Sequence, residues 1–266
     1  MKISYFGDQR SHTYAAALAL MQAEGICADK TVGCDAFYET LRQVSDGECD
    51  MGVVPIENSV EGTVVAAEDA LSALRLFIVR EIVLPVRQSL IVQQGVTLKD
   101  IQTVYSHPQA LAQCRNTLRT LLPRAVPHPV AFTSAGLALL NDKSAAIARA
   151  PEKGQTALYE DIADEPNNCT RFLAVSKEPR NAGGKVSVMF STKNESGALY
   201  RVLGELTERR LNMTKIESRP SKKRMGEYVF YADFLLGGGD LDEIMQAIQE
   251  HTQELQFLGR YAPCET

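Results

Sequence analysis

No apolar run in this chain is long enough to cross a membrane, and no basic surplus marks it for nucleic acid. Its 28 Lys and Arg are outnumbered by 33 Asp and Glu, and the resulting formal charge of −5 speaks only to solubility. The six cysteines (27, 34, 49, 114, 169 and 264) include no Cys-x-x-Cys pair and have no histidine at zinc-ligand spacing. That scatter argues against a disulfide framework and against a metal site, and for reduced thiols in the cytoplasm. The opening, Met1-Lys2-Ile3-Ser4-Tyr5-Phe6-Gly7-Asp8, has no apolar signal core before its first turn. A soluble cytoplasmic protein is the expectation.

At 266 residues, with 45% hydrophobic and 23% charged side chains, the chain has an ordinary globular composition and room for two domains. Its first part alternates strands and helices, which argues an α/β fold. Lys2 to Phe6 reads as a strand, Thr13 to Ala23 as a helix, and Phe37 to Ser45 as another helix. Asp50 to Ile56 reads as a buried strand that opens into the polar loop Glu57-Asn58-Ser59-Val60-Glu61-Gly62-Thr63. Ligands gather outside the carboxyl ends of such strands, so Glu57, Asn58 and Ser59 are candidates for chemistry. Thr103 to Tyr105 reads as a strand followed by Ser106-His107-Pro108-Gln109. There Ser106 and Gln109 fit a capping box, and Gln113 lies one turn further on. Ser144 to Ala148 reads as a strand and Pro151 onward as a further helix. Asn168-Cys169-Thr170-Arg171-Phe172 carries a hydroxyl, a guanidinium and a ring from a loop into a strand.

Pro179, Asn181, Gly183 and Gly184 mark a linker. Beyond it the order changes to strand, helix, strand, strand, helix, strand, which is ferredoxin-like. Ser196 is expected to cap the first of those helices, and Asp240 with Glu243 to start the second. The edges of that four-stranded sheet are free to pair with a second copy.

These residues resemble the prephenate dehydratase family. Val54-Pro55-Ile56-Glu57-Asn58-Ser59 with Gly62, Ser106-His107-Pro108 with Gln113, and Thr170-Arg171-Phe172 match its three catalytic motifs in order. The tail resembles an ACT domain. Gly197-Ala198-Leu199, and Asn212-Met213 leading to Glu217-Ser218-Arg219-Pro220, match the two motifs of a phenylalanine site. The family's first loop is typically Gly-Pro-x-Gly-Thr-Phe-Ser; here it is Gly7-Asp8-Gln9-Arg10-Ser11-His12-Thr13. Gln88 stands where the family commonly has His.

The resemblance implies a catalytic domain over 1–177, built like a periplasmic binding protein from two lobes. These would be residues 1–83 with 161–177, and 84–160. An ACT domain would occupy 185–263. It further implies decarboxylating dehydration of prephenate to phenylpyruvate, driven by aromatisation and needing no cofactor, with feedback inhibition by L-phenylalanine. Thr170 would donate to the leaving hydroxyl, with Glu57 and His107 as titratable alternatives. Asn58, Ser59, Gln113 and Phe172 would orient the substrate, and Arg171 and the Ser106 helix start would hold its carboxylates. Arg10, Ser11 and Thr13 would border it, with Arg10 facing the cleft. Gly197, Ala198, Leu199, Asn212, Met213, Glu217 and Ser218 would bind phenylalanine between two ACT domains, in a homodimer or homotetramer. Three alternatives stand beside this reading: an arogenate dehydratase, a prephenate decarboxylase-like enzyme, and a non-catalytic amino-acid sensor.

Overall fold

The computed structural model describes residues 1–264 other than 28, 29, 132 and 223. The first lobe opens with β1 (Ile3–Phe6), α1 (His12–Glu24), β2 (Thr31–Cys34) and α2 (Phe37–Ser45). It continues through β3 (Met51–Asn58), β4 (Gly62–Thr63), α3 (Val65–Leu74) and β5 (Phe77–Pro85). The chain then crosses to a second lobe: β6 (Ser89–Gln93), β7 (Thr103–Ser106), α4 (Pro108–Gln113), α5 (Arg115–Leu121), β8 (Val126–Pro129), α6 (Thr133–Ala138), β9 (Ser144–Ala148) and β10 (Gln155–Tyr159). Strand β11 (Cys169–Ser176) brings it back to the first lobe. The final domain comprises β12 (Lys185–Ser191), α7 (Ala198–Glu208), β13 (Asn212–Pro220), β14 (Tyr228–Leu235), α8 (Leu241–Glu250) and β15 (Glu254–Tyr261). A last short strand, β16 (Pro263–Cys264), follows it.

The first-lobe sheet runs β16-β5-β11-β3-β1-β2, with β4 paired to β3. Its strands are apolar on both faces because both faces are covered. Helix α1 packs Ala16, Ala17, Leu20 and Met21 against Ile3, Val53, Ile82 and Phe172 on one side. On the other, Leu41, Val44 and Leu71 from α2 and α3 meet Val54, Ile56, Leu173 and Val175. The second-lobe sheet runs β10-β6-β9-β7-β8, and the final domain is an antiparallel sheet β13-β14-β12-β15 with α7 and α8 on one face. This is the expected architecture: two α/β lobes followed by a ferredoxin-like unit.

Three local expectations are corrected. The segment after Pro151 is not helical: Gln155 to Tyr159 forms β10, antiparallel to β6. Its apolar residues are too few for a helical stripe, and the neighbouring strand edge offers hydrogen bonds instead. Helix α4 is capped by His107, whose Nδ1 accepts from the Gln109 amide at 3.3 Å, not by Ser106. Helix α7 begins at Gly197 (φ 79°), a left-handed conformation that suits glycine, so Ser196 is not its cap.

The catalytic and final domains share one core. Tyr231, Leu258 and Tyr261 belong to the same buried cluster as Leu173 and Ile78. At Gly259 (φ 151°) the approach is so close that an added Cβ would lie 2.2 Å from the Ile78 carbonyl oxygen.

Candidate active site

A cleft of about 590 Å³ lies between the two lobes, lined by Phe6, Ser11, Thr13 and Phe37 from the α1 and α2 sides, and by Pro55, Asn58, Thr170 and Phe172 from the central strands. The second lobe contributes His107, Gln109 and Gln113. The three sequence motifs thus meet, and strand geometry explains how. Thr170 enters β11 opposite Asn58 at the end of β3 and Leu84 near the end of β5. One extra residue in β3, Ile56, shifts the register between the Arg171–Glu57 and Phe172–Pro55 pairs. That bulge turns Pro55 and Asn58, three positions apart, onto the same side of the sheet.

Asn58 is held from both ends. Its Oδ1 accepts from the amides of Val60 and Glu61, each at 3.0 Å, which fixes the orientation of the side-chain amide. Its Nδ2 then donates to Asn168 Oδ1 at 2.7 Å and to Thr170 Oγ1 at 3.0 Å. A hydroxyl that accepts from an amide keeps its own hydrogen to give. Thr170 is therefore set up as a donor into the cleft.

Two contacts join the lobes beside the cleft. Glu61 accepts from Gln113 Nε2 at 3.0 Å and from Gln109 Nε2. Arg10 Nε lies 2.8 Å from Glu152 Oε1 of the second lobe, both side chains exposed. Arg10 does not line the cleft as expected, because its charge is taken up by the carboxylate of the opposite lobe.

Four other expected contacts also lie elsewhere. Ser106 is fully buried and donates to the Ile147 carbonyl at 2.7 Å. Ser59 fastens the loop before β11, accepting from the Cys169 amide at 2.9 Å. Glu57 and Arg171 project from the opposite face of the sheet to Asn58 and Thr170, because successive strand residues alternate sides. Arg171 meets the final domain there. Its Nη1 is 2.6 Å from Asp233, its Nε 2.6 Å from Glu81, and its Nη2 donates to Tyr261 at 2.8 Å. Lys185 also reaches Glu81, at 2.7 Å. Burial opposes the Arg171 charge, but Asp233, Tyr261 and Glu81 outweigh it and push its pKa up. Its side chain is 11% exposed, so this is an interior ion cluster between domains and no substrate contact.

The same interface carries Lys215, which lies 3.2 Å from Glu68, 3.8 Å from Glu57, and donates to Thr63 on the cleft wall at 2.9 Å. Thr63 in turn donates to Glu217 at 3.2 Å. A shift in register between Met213 and Lys215 separates two faces of β13. Met213 packs into the final domain's own core, whereas Glu217 faces the catalytic domain and so departs from the expected phenylalanine set. Ser218 and Asn212 are exposed, and Ala198 and Leu199 lie in the first turn of α7 after Gly197.

Burial pushes the Glu68 carboxyl up to about 7, against the opposing pull of Lys215. A carboxyl that holds its proton more tightly folded than unfolded adds stability below its ordinary value near 4.5, lost as pH rises through about 7. Urea midpoints of the wild type should therefore fall between pH 5 and pH 8, and those of Glu68→Gln should fall less. Equal declines would assign the slope to other groups.

Sequence reasoning gave no role in the cleft to Gln109, Glu61, Thr63 or His12, which line it, whereas Gln88, marked in the sequence as a departure from the family pattern, does line it. Glu61, Gly62 and Thr63 were visible as a polar loop, but nothing local says that it reaches another lobe and another domain. Among the described residues no group of side chains is arranged to hold a metal ion, and no helix is long and apolar enough to cross a membrane.

Comparison with known proteins places this geometry. The prephenate dehydratase family profile matches residues 3–180, and the ACT domain profile matches 186–252. A prephenate dehydratase of Methanocaldococcus jannaschii is 37% identical over 245 residues, 86% of each chain. Arogenate dehydratase/prephenate dehydratase 2 of Arabidopsis thaliana is 34% identical, covering 100% of this chain and 72% of the relative. Among solved structures, a prephenate dehydratase from Arthrobacter aurescens in complex with L-Phe superposes with a TM-score of 0.87. It is 32% identical, and the match covers 98% of this chain and 90% of that one.

Proposed function

The chain belongs to the prephenate dehydratase family, and from that premise we propose how its own residues convert prephenate to phenylpyruvate under control by phenylalanine. The reaction expels carbon dioxide and water from a ring that becomes aromatic. Its obstacle is the hydroxide leaving group, which needs a hydrogen bond that strengthens as the carbon–oxygen bond breaks. Thr170 is that donor, and the observation that carries the reading is the Asn58 bond that leaves the Thr170 hydrogen to the cleft. Phe172, Phe37 and Phe6 give the ring an apolar wall, in which a carboxylate is poorly solvated and more readily lost. Among the described residues the lining contains no Lys or Arg. The side-chain carboxylate is therefore held by neutral donors, with Thr13 and the first amides of α1 best placed. Ser11 keeps that helix start in order by accepting from the Tyr14 amide at 3.1 Å. Gln109 and Gln113, through Glu61, hold the lobes at working distance.

The test is purified protein with prephenate, following phenylpyruvate and carbon dioxide together. Equal amounts of both support the reading. Carbon dioxide alone would mean decarboxylation without dehydration, and neither product would leave an arogenate dehydratase or a sensor. The same assay on arogenate addresses a second reading. Arogenate carries an ammonium where prephenate has a keto oxygen, and Asp8, Asp35 and Glu61 in the lining suit a cation.

Phenylalanine acts at the ACT domain, where we place it between two copies of the chain, so that the active assembly is a homodimer or a pair of dimers in the cytoplasm. Gly197, Ala198 and Leu199 at the start of α7, with Asn212, Met213 and Ser218 on β13, form one half of that site. Gly197 has φ 79°, so Gly197→Val both strains the backbone and crowds the ligand. We expect this variant to keep its turnover and lose inhibition, with calorimetry showing phenylalanine binding to the wild type alone. Unchanged inhibition would move the effector elsewhere.

A further inference from the structure

Thr63 ties the wall of the cleft to the ACT domain. It lies on β4, next to Gly62 and close to Glu61, which also line the cavity. Its hydroxyl is bound to the ACT domain in both directions. Oγ1 accepts from Lys215 Nζ at 2.9 Å, and the hydroxyl hydrogen goes to Glu217 Oε2 at 3.2 Å. Lys215 is itself fixed: its side chain is 8% exposed and lies 3.2 Å from Glu68 and 3.8 Å from Glu57. Arg171, Glu81, Asp233 and Tyr261 join the same two domains, but none of these four lines the cleft.

Each end of this grip leads to a site. Lys215 and Glu217 stand two positions apart on β13 and share a face, while Ser218 takes the other. Strand β13 is the edge of its sheet and pairs with β14 alone. A ligand held by Asn212, Met213 and Ser218 therefore bears on the same backbone from which Lys215 and Glu217 project. On the catalytic side, β4 sets Thr63 against Glu57 and Gly62 against Asn58 on β3. The turn between those strands supplies the Val60 and Glu61 amides that hold Asn58 Oδ1, and Asn58 Nδ2 donates to Thr170 at 3.0 Å. Glu61, in the same turn, accepts from Gln113 of the second lobe at 3.0 Å. A shift of Thr63 thus moves the turn that sets both the Thr170 donor and the joint between the lobes.

We propose that Thr63 is a positioning residue of the active site, and that its bonds to Lys215 and Glu217 are the contact through which phenylalanine on β13 lowers turnover. An effector biases an enzyme only by the difference in its affinity for two arrangements. Here the two arrangements differ in where β13 holds Thr63, and so in how Asn58 presents the Thr170 hydroxyl. This inference rests on the reading of phenylalanine as an effector at the ACT domain.

The test reads one ratio, kcat/KM for prephenate without phenylalanine divided by its value at saturating phenylalanine. Wild type should give about 5 to 150, the span of ordinary allosteric couplings. Thr63→Val keeps the shape of the side chain and loses the hydroxyl. Its ratio should fall to within about twofold of one, with calorimetry still showing phenylalanine bound. Thr63→Ser restores the hydroxyl and should recover most of the ratio. Lys215→Met cuts the same contact from the other strand and should also lose the ratio. The double variant should then lose no more than either single one, because the two effects are not additive. A grip that only fastened the domains together would lower the urea midpoint of Thr63→Val and leave the ratio at its wild-type value. That result, or a Thr63→Val protein that no longer binds phenylalanine, overturns the inference. If Thr63→Val does not fold, Lys215→Met decides the matter by the same two measurements. A wild type that turns over prephenate and is unaffected by phenylalanine overturns instead the regulatory reading on which the inference rests.

Discussion

Thr170→Ala should turn over prephenate about a hundred- to a thousandfold more slowly than wild type, with KM within a few-fold, because it removes the donor aimed at the departing oxygen. The fold should survive. The substitution takes away a hydroxyl and a methyl group, and Asn58 keeps its bonds to Asn168 and to the Val60 and Glu61 amides. Thr170→Ser supplies the control: it restores a hydroxyl to which Asn58 can donate, and should recover most of the loss. Stopped-flow or steady-state assays on both proteins at matched thermal stability decide the matter. Turnover of the Ala variant within a few-fold of wild type would take Thr170 out of the mechanism and shift attention to the titratable groups of the lining.

Arg171→Met should leave the chemistry and undo the architecture. The side chain ties Glu81 of the catalytic sheet to Asp233 and Tyr261 of the regulatory domain, at 2.6 to 2.8 Å. Removing Arg171 leaves Asp233 buried without its charged partner, although Lys185 still reaches Glu81; breaking a buried pair in this way costs about 3–5 kcal/mol in comparable settings. We expect a clear fall in the urea midpoint, read as a midpoint because a chain of two domains need not unfold in one step. The protein that remains folded should bind prephenate with nearly normal KM. A guanidinium that held the substrate's carboxylate would give the opposite pattern, with KM raised by orders of magnitude and stability untouched. Arg171→Lys should recover part of the midpoint, since it restores the charge and loses the fork.

Thr170 and Arg171 also show how far the sequence could be read. Their motif, with Val54 to Ser59 and Ser106 to Gln113, pointed to one cleft, and two of those three segments do bring side chains into it side by side: Asn58 and Thr170 are hydrogen-bonded. Which neighbour in each motif would face the cleft was not legible. Adjacent strand residues point to opposite sides, and the Ile56 bulge changes the count, so Asn58 and Glu57 part company on a detail that only pairing with β11 settles. Arg171 and Glu57 are charged residues next to a catalytic position, and chemistry alone favours the substrate as their partner. The competing partner, Asp233, lies in another domain, and no local pattern announces it. Caps show the same limit. Helix α8 is capped by Asp240 from its own sequence, as expected. Helix α5 instead receives the Asp164 carboxylate from the returning segment, at 2.9 Å from the Asn116 and Thr117 amides. The phenylalanine motifs were legible as a set, yet Glu217 faces Thr63 because of the irregularity next to Thr214 in β13.

Strand β16 has a consequence for the order of events at the ribosome. It pairs in parallel with β5, setting Pro263 against Glu81 and Cys264 against Ile82, so the middle of the outer edge of the catalytic sheet is covered by residues made after the whole regulatory domain. While the chain is being synthesised, the first lobe can collect β1, β2, β3 and β11 as soon as they emerge, but β5 keeps a row of unpaired amides and carbonyls. An open strand edge is a template for pairing with a neighbouring chain. Nascent chains on a crowded polysome bring many such edges together. Slow translation through the regulatory domain would lengthen that exposure, and pulse-labelled chains halted between α7 and β15 should be captured by a strand-binding chaperone that ignores the finished protein.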